Sequence, residues 1–277
     1  MMTKLLIPTD FSEASENATN YAIEMANALS AEIVLLHVNQ IPVSVSEFGI
    51  TAYDVSEMKT ESLVTLKALA EKIKKSYPHI SKVEYYAEIG NSADVILEYA
   101  KNKNFEFVIM GNNGHGSNFI KNIIGSTSVS VSKKIEVPLI IVPPHVKYKK
   151  IENLAYASVY DEDIETNTAL IKVRDLNLQF NSTLSVLHVI PENHSLNETE
   201  SFADNFVESK LAKTEHQTYI ITENKVSVGI LDFVKFHQID MIIVEPKKHS
   251  IFHALFYPSI TNELAFKSPV PVLTIHS

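Results

Sequence analysis

The sequence contains no cysteine and no tryptophan, and only seven of its 277 residues are glycine. Without cysteine there is no disulfide framework and no thiolate to serve as nucleophile or metal ligand, which fits a reducing compartment. Basic residues are in deficit, 24 against 33 acidic ones, for a formal charge of −9. A nucleic-acid duplex is therefore not an expected partner, because neutralising its phosphates needs a basic face. A small phosphate-bearing ligand stays open, since backbone N–H groups bind phosphate without net protein charge. At the start, MMTKLLIPTD is cut by Pro8 and Asp10 and reads as neither a signal peptide nor a membrane span. The expectation is a cytoplasmic protein with no membrane partner.

What the chain does have is an ordinary globular composition, 45% hydrophobic and 21% charged, at a length that suits two modest domains. Short apolar runs recur at Lys4 to Thr9, Glu32 to Val38, Lys82 to Glu88, Phe105 to Gly111 and Pro138 to Val142. Most are continuous rather than alternating, as strands buried on both faces of a parallel sheet are. Amphipathic stretches separate them. One carries Ala14, Ala18, Tyr21, Ala22, Met25 and Leu29 at helical spacing behind Ser12 as N-cap; a second runs from Met58 to Ile73 before Pro78; a third follows Asn91. Strand alternating with helix indicates a doubly wound α/β domain.

The pattern then starts again. Val34 to Pro42 (VLLHVNQIP) returns as Ser185 to Asn193 (SVLHVIPEN), Glu98 to Gly111 as Asp232 to Glu245, and Val137 to Val142 as Val270 to Ile275, in the same order. Two copies of one α/β unit are expected, 1–145 and 146–277, joined through the Pro-rich and then basic segment Pro143 to Lys150.

Four of the seven glycines, Gly111, Gly114, Gly116 and Gly125, fall between Val108 and Ser128. Gly111 directly follows an apolar strand and stands at the C-terminal sheet edge, where open parallel sheets bind ligands. Gly125-Ser126-Thr127 precedes an expected helix, although STSVSVS (Ser126 to Ser132) alternates with the period of a strand. Together these residues suggest a loop that wraps phosphates with N–H groups, the alternative being glycines that only make turns.

IPTDFSEAS after the first strand, LLHV at the end of the second, and the Gly-x-x-Gly…Gly-Ser-Thr loop after the fourth together resemble the universal stress protein family, over nearly the whole chain as two tandem copies. The resemblance implies two Rossmann-like (adenine nucleotide alpha hydrolase-like) domains, each a five-stranded parallel sheet with helices on both faces. ATP-binding members of that family hold the phosphates in a Gly-2x-Gly-9x-Gly-Ser/Thr loop. Carried over, Pro8, Thr9 and Asp10 would meet the ribose and its surroundings, and Val38 would offer backbone groups to adenine. Met110 and Gly111 would line the floor, while Gly114, Gly116, Gly125, Ser126 and Thr127 would hold the phosphates. One departure stands out: ten residues separate Gly114 from Gly125, and eight separate Gly116 from Gly125, against nine in the family pattern.

The second half departs further. Glu245, Lys248 and Pro258 stand where the glycines would be, and Val159 stands where the first half has Asp10. A carboxylate repels a triphosphate and proline has no N–H to donate, so this half is expected not to bind nucleotide. His249 and His253 share a helical face and could form a metal pair to which Glu245 or His237 adds a ligand; the favoured alternative is a helix surface whose apolar side is Ile251, Phe252, Leu255 and Phe256, and no metal site is assigned. Ile251 to Tyr257 is dense in apolar residues, to cover the vacated pocket or to contact another chain. His37 and His188 occupy matching strand-end positions and read as packing residues. No base–nucleophile pair accompanies the loop, so no catalytic residue is assigned.

The expectation is thus ATP, or AMP or another adenine nucleotide, bound by the first domain beside a degenerate second one. The resemblance further implies an internal pseudo-dimer of the two halves, pairing of whole chains, and a stress response exerted through unidentified protein partners. The alternatives are an interaction protein that binds no nucleotide and a weak ATPase.

Overall fold

The computed structural model describes residues 3–40, 45–46, 49–50, 54–112, 126–158, 168–190, 192, 207–211, 214–246 and 257–276. They divide into two compact units, a front one ending at Leu139 and a rear one from Ile140 onward.

In the front unit β1 (Lys4–Pro8), α1 (Glu13–Leu29) and β2 (Glu32–Asn39) are followed by two short strands, β3 (Val45–Ser46) and β4 (Gly49–Ile50). Then come α2 (Val55–Ser76), β5 (Val83–Ile89), α3 (Ser92–Asn102), β6 (Phe107–Gly111) and α4 (Ser126–Ser132). The main strands lie in the order β5-β2-β1-β6, all parallel. The units divide within β7 (Leu139–Val142). Local chemistry sets the helix ends. The Ser12 hydroxyl accepts from Ser15 N–H at the start of α1, and Asp54 and Asn91 do the same for α2 and α3. α1 closes on Ser30 in the left-handed region, and α2 stops at Ser76, short of Pro78. STSVSVS forms α4 despite its period of two, because Val131, Ser128 and Ser132 all bury on that helix.

The rear unit repeats the plan with β8 (Asn153–Ala157), α5 (Ala169–Phe180), β9 (Thr183–Ile190), β10 (His216–Thr222), α6 (Val226–Phe236), β11 (Met241–Val244), α7 (Tyr257–Lys267) and β12 (Val272–Thr274). Its strands run β10-β9-β8-β11-β12, all parallel. Individual hydrogen bonds recur between the halves. Thr9 N–H donates to Leu36 O at 2.8 Å and Ser158 N–H to Leu187 O at 2.9 Å; Val108 N–H meets Pro138 O, and Ile242 N–H meets Pro271 O. The repeat read from short sequence echoes is therefore a repeat of backbone geometry. Its apolar strands β6 and β11 are buried from Phe107 to Met110 and from Met241 to Val244, as a sheet covered on both faces requires.

Glu263 ties α7 to α6. It accepts from Lys267 at 2.6 Å, from Lys225 at 2.9 Å and from the Ser227 hydroxyl at 2.7 Å. The bonds from Lys267, Lys225 and Ser227 hold its carboxyl down at about 2, below the usual 4.5, against a smaller opposing effect of burial. A depressed folded-state value stabilises above the unfolded one and is lost as pH falls through the folded one. Both lysines are half exposed, so screening keeps the effect near 1 kcal/mol. Glu263→Gln is expected to lower the urea midpoint at pH 7, with the gap to the unmodified protein closing between pH 4.5 and 2. A gap constant over that range would show that the carboxylate charge is not what stabilises this contact.

Candidate functional site

The ends of β1, β2 and β6 and the first turns of α1, α3 and α4 surround a cavity of about 520 Å³ in the front unit. This is where a doubly wound sheet leaves a crevice for a ligand. Pro8, Thr9 and Asp10 form one wall as the chain leaves β1, with Ser12, Ala14 and Ser15 beside them; Leu36 to Gln40 form another. Met110 and Gly111 come from β6, Thr127 and Ser128 from α4, Met58 from α2, and Ser92 and Ile96 from α3.

The β1–α1 turn is a hydroxyl network. Asp10 Oδ1 accepts from Ser12 N–H at 3.0 Å and from the Ser12 hydroxyl at 2.5 Å. The Ser15 hydroxyl donates to Ser12 O at 3.0 Å and stands 3.1 Å from Thr9 Oγ1, which in turn accepts from Phe11 N–H at 3.1 Å. Asp10 is thus not the cap of α1; it holds Ser12, which is. Burial pushes the Asp10 carboxyl up, but the hydrogen bonds from the Ser12 and Ser15 hydroxyls and from Ser12 N–H outweigh it and hold the group below the ordinary carboxylate value. At neutral pH Asp10 is an anionic acceptor at the cavity wall.

Val38 offers backbone rather than side chain. In a parallel ladder, alternate residues turn both N–H and C=O to the same side. Ile33 N–H donates to Lys82 O on the β5 side, whereas Leu36 O accepts from Thr9 N–H on the β1 side. Val38 therefore faces the β1 side, beyond Pro8, the last β1 residue of the ladder. The floor beneath is pinned by Asn39, which is buried, donates to Glu88 O at 3.3 Å and accepts from the Ser62 hydroxyl at 2.9 Å. At the rim, the Gln40 amide donates to the Ser92 hydroxyl at 2.9 Å.

Gly111 is glycine for a packing reason. A Cβ there would lie 2.3 Å from Ala14 O and 2.7 Å from Ala14 C, in the first turn of α1. The missing side chain lets that turn close onto β6 and brings Ser12 and Ser15 to the cavity.

Of the residues singled out from sequence, Pro8, Thr9, Asp10, Val38, Met110, Gly111 and Thr127 line this one cavity, and Ser126 opens α4. Gly114, Gly116 and Gly125 lie outside the described residues, as do Val159, Lys248, His249, His253 and 251–256. Sequence reasoning missed the hydroxyls of Ser12 and Ser15 as wall residues. Their place in DFSEAS, directly after Asp10, was a usable signal. Met58 and Ile96 arrive by packing and left none. Among the described residues no cluster of three or more His, Cys, Asp or Glu side chains has metal-site geometry, and no helix is long and apolar enough to cross a membrane.

In the rear unit Glu245 directly follows β11, at the position that corresponds to Gly111, the last residue of β6. It is buried, with Tyr156 Oη 3.5 Å from its Oε2. Pro258 sits in the first turn of α7 and brings no N–H there.

The family model described as the universal stress protein family matches residues 1–143 and again 158–276. Two universal stress proteins of Methanocaldococcus jannaschii are similar to about half of the chain. One is 28% identical over 156 residues, 51% of this chain and 95% of its own length. The other is 30% identical over 142 residues, 50% of this chain and 81% of its own. The crystal structure of a universal stress protein from Archaeoglobus fulgidus is similar in fold along the whole length, with a TM-score of 0.75 at 22% identity, covering 99% of this chain and 98% of that one.

Proposed function

The chain belongs to the universal stress protein family, and from that premise we propose that its front unit binds ATP or a related adenine nucleotide while its rear unit does not. The observation that carries this reading is the front cavity itself, into which Asp10, Thr9, the backbone edge at Val38, Met110, Gly111 and Thr127 converge. Anionic Asp10 accepts from ribose hydroxyls rather than facing phosphates, which it would repel. The N–H and C=O of Val38 pair with the edge of the base, and Met110 and Ile96 supply apolar surface for its ring. Gly114, Gly116, Gly125, Ser126 and Thr127 hold the phosphates, in a loop that differs by one residue in length from the family's pattern. The rear unit, with Glu245 in place of glycine and Pro258 at the start of α7, serves as a structural or regulatory copy.

The activity is binding that controls contacts with protein partners, a second copy of the chain among them, in the cytoplasm; no committed reaction is assigned. Isothermal titration of ATP into the protein and into Asp10→Ala tests the reading. The account expects one nucleotide per chain, and about ten-fold weaker binding by the variant, the worth of one or two hydrogen bonds to a charged group. Equal affinities would remove Asp10 from the site, and no binding by either protein would refute the nucleotide reading.

A further inference from the structure

The repeat supplies an internal control for the outermost strand of each unit. His37 pairs with Ala87 of β5 and His188 with Ile220 of β10, so these two strands correspond residue by residue. Glu98 to Gly111 corresponds likewise to Asp232 to Glu245. Both units build a small cluster between the strand and the helix end. In the front unit Lys103 lies 3.9 Å from the Tyr86 ring centroid and 4.5 Å from that of Tyr99. In the rear unit His237 takes the place of Lys103, with centroids 4.9 Å from Tyr219 and 4.1 Å from Phe233. Around this shared cluster the rear unit carries apolar surface where the front one carries charge. Glu84, held by Lys4 and Lys82, and Glu88, held by Lys59 and Tyr99, correspond to Gln217 and Ile221. Ala87 is 2% exposed, whereas its counterpart Ile220 is 43% exposed. Asn102 corresponds to Phe236, which is 84% exposed and touches the His237 ring. Charge on an outer strand keeps other chains from pairing with it, and β10 lacks that guard.

The backbone of β10 is set for such pairing. Leu184 N–H donates to Glu215 O, and Glu223 N–H donates to Ile190 O. Odd-numbered residues of β10 therefore turn their N–H and C=O toward β9, and Thr218, Ile220 and Thr222 turn theirs outward. The partner that fits this edge best is a second copy of the chain. Antiparallel pairing about a two-fold axis at Ile220 sets Ile220 against itself and Thr218 against Thr222, so each outward N–H meets an outward C=O. Isologous contacts need such self-complementarity. Charge agrees with it. A chain of formal charge −9 repels its own copy except across a neutral surface, and Gln217 to Thr222 carries no charge. The acids at either end are engaged within the chain: Glu208 lies 3.2 Å from His216 Nε2 and accepts from Thr218 at 3.4 Å, and Glu223 accepts from Lys225 N–H at 3.0 Å.

We propose that β10 is a docking edge for a second copy of this chain, joined by antiparallel pairing of β10 with β10 and flanked by Phe236. The proposal stands apart from the nucleotide reading. Its test uses the absence of cysteine from the chain, so that one introduced thiol can bridge only to its own copy. Under mild oxidation with copper phenanthroline, Ile220→Cys is expected to cross-link into a dimer, because paired residues on adjacent antiparallel strands hold their Cα atoms about 5.5 Å apart, within disulfide reach. Thr222→Cys is the control. Its two copies would lie about 13 Å apart along the strands, too far to bridge. Equal cross-linking of the two variants, or none of Ile220→Cys, would overturn the proposal. A second measurement is sedimentation equilibrium of the unmodified chain and of Ile220→Lys. The variant sets like charges opposite each other and is expected to weaken this association more than about ten-fold. The same mass distribution for both proteins would refute it.

Discussion

Gly111→Ala is expected to destabilise the front unit by about 3 kcal/mol, the upper range for forcing a methyl group into filled space, and to abolish ATP binding with it. The added Cβ would meet Ala14 O at 2.3 Å, Ala14 C at 2.7 Å and Ser15 N at 3.1 Å. All three are backbone atoms of α1, so no flexible side-chain tip can swing away, and the first turn of the helix itself must shift. That turn holds the cap at Ser12 and the Ser15 hydroxyl, which reaches Thr9 and Ser12. Moving it disorganises the hydroxyl network that orients Asp10. Stability and binding should therefore fall together, read by urea denaturation and ATP titration of one sample. A variant with an unchanged urea midpoint would mean that the turn absorbs the methyl group and that Gly111 is glycine for some other reason.

Asp240→Ala is expected to cost the rear unit about 3 kcal/mol through loss of charge-assisted hydrogen bonds. Asp240 is 7% exposed, and its Oδ2 accepts from the backbone N–H groups of Glu152 and Asn153, each at 2.8 Å. Its own N–H donates to Asn153 O at 2.8 Å. One side chain thus clips the start of β8 onto the start of β11, and removing it leaves two amides without their acceptor. The Lys149 ammonium also meets this carboxylate, but from a largely exposed position, so Lys149→Ala should cost less than about 1 kcal/mol. Thermal melts of the two variants separate the contributions. Equal losses would move the weight of the contact from the backbone amides to the ion pair.

Much of this architecture was legible because period and burial agree. Continuous apolar runs at β1, β2, β6 and β7 marked a covered parallel sheet, and Ser12, Asn91 and Pro78 marked helix ends by their own hydrogen-bonding limits. STSVSVS shows where local pattern fails: its alternation belongs to a strand, yet Ser128, Val131 and Ser132 bury at helical spacing, which only tertiary context decides. The site divides in the same way. Gly111 could be placed at the sheet edge from the chain order of a doubly wound sheet, whereas Thr9, Asp10 and Val38 were singled out only through the family resemblance. Met58 and Ile96 come from helices whose rotation about the sheet is set by packing. Gly111 was singled out for its nearness to a ligand, and the structure adds a second cause, the close approach of α1. His37 read as packing; the structure adds a bond from its Nδ1 to Thr9 O, a stacked contact with Phe11 and a place in the cavity lining. Asp240 left no trace in sequence, because its partners are backbone amides nearly ninety positions away.

A crystal structure of the chain grown with saturating ATP tests the central claim most directly. The account predicts density for one nucleotide in the front cavity, its ribose at Asp10 and its base at the Val38 edge, and none beside Glu245. Density at the ends of β8 and β11, or in neither unit, would contradict it.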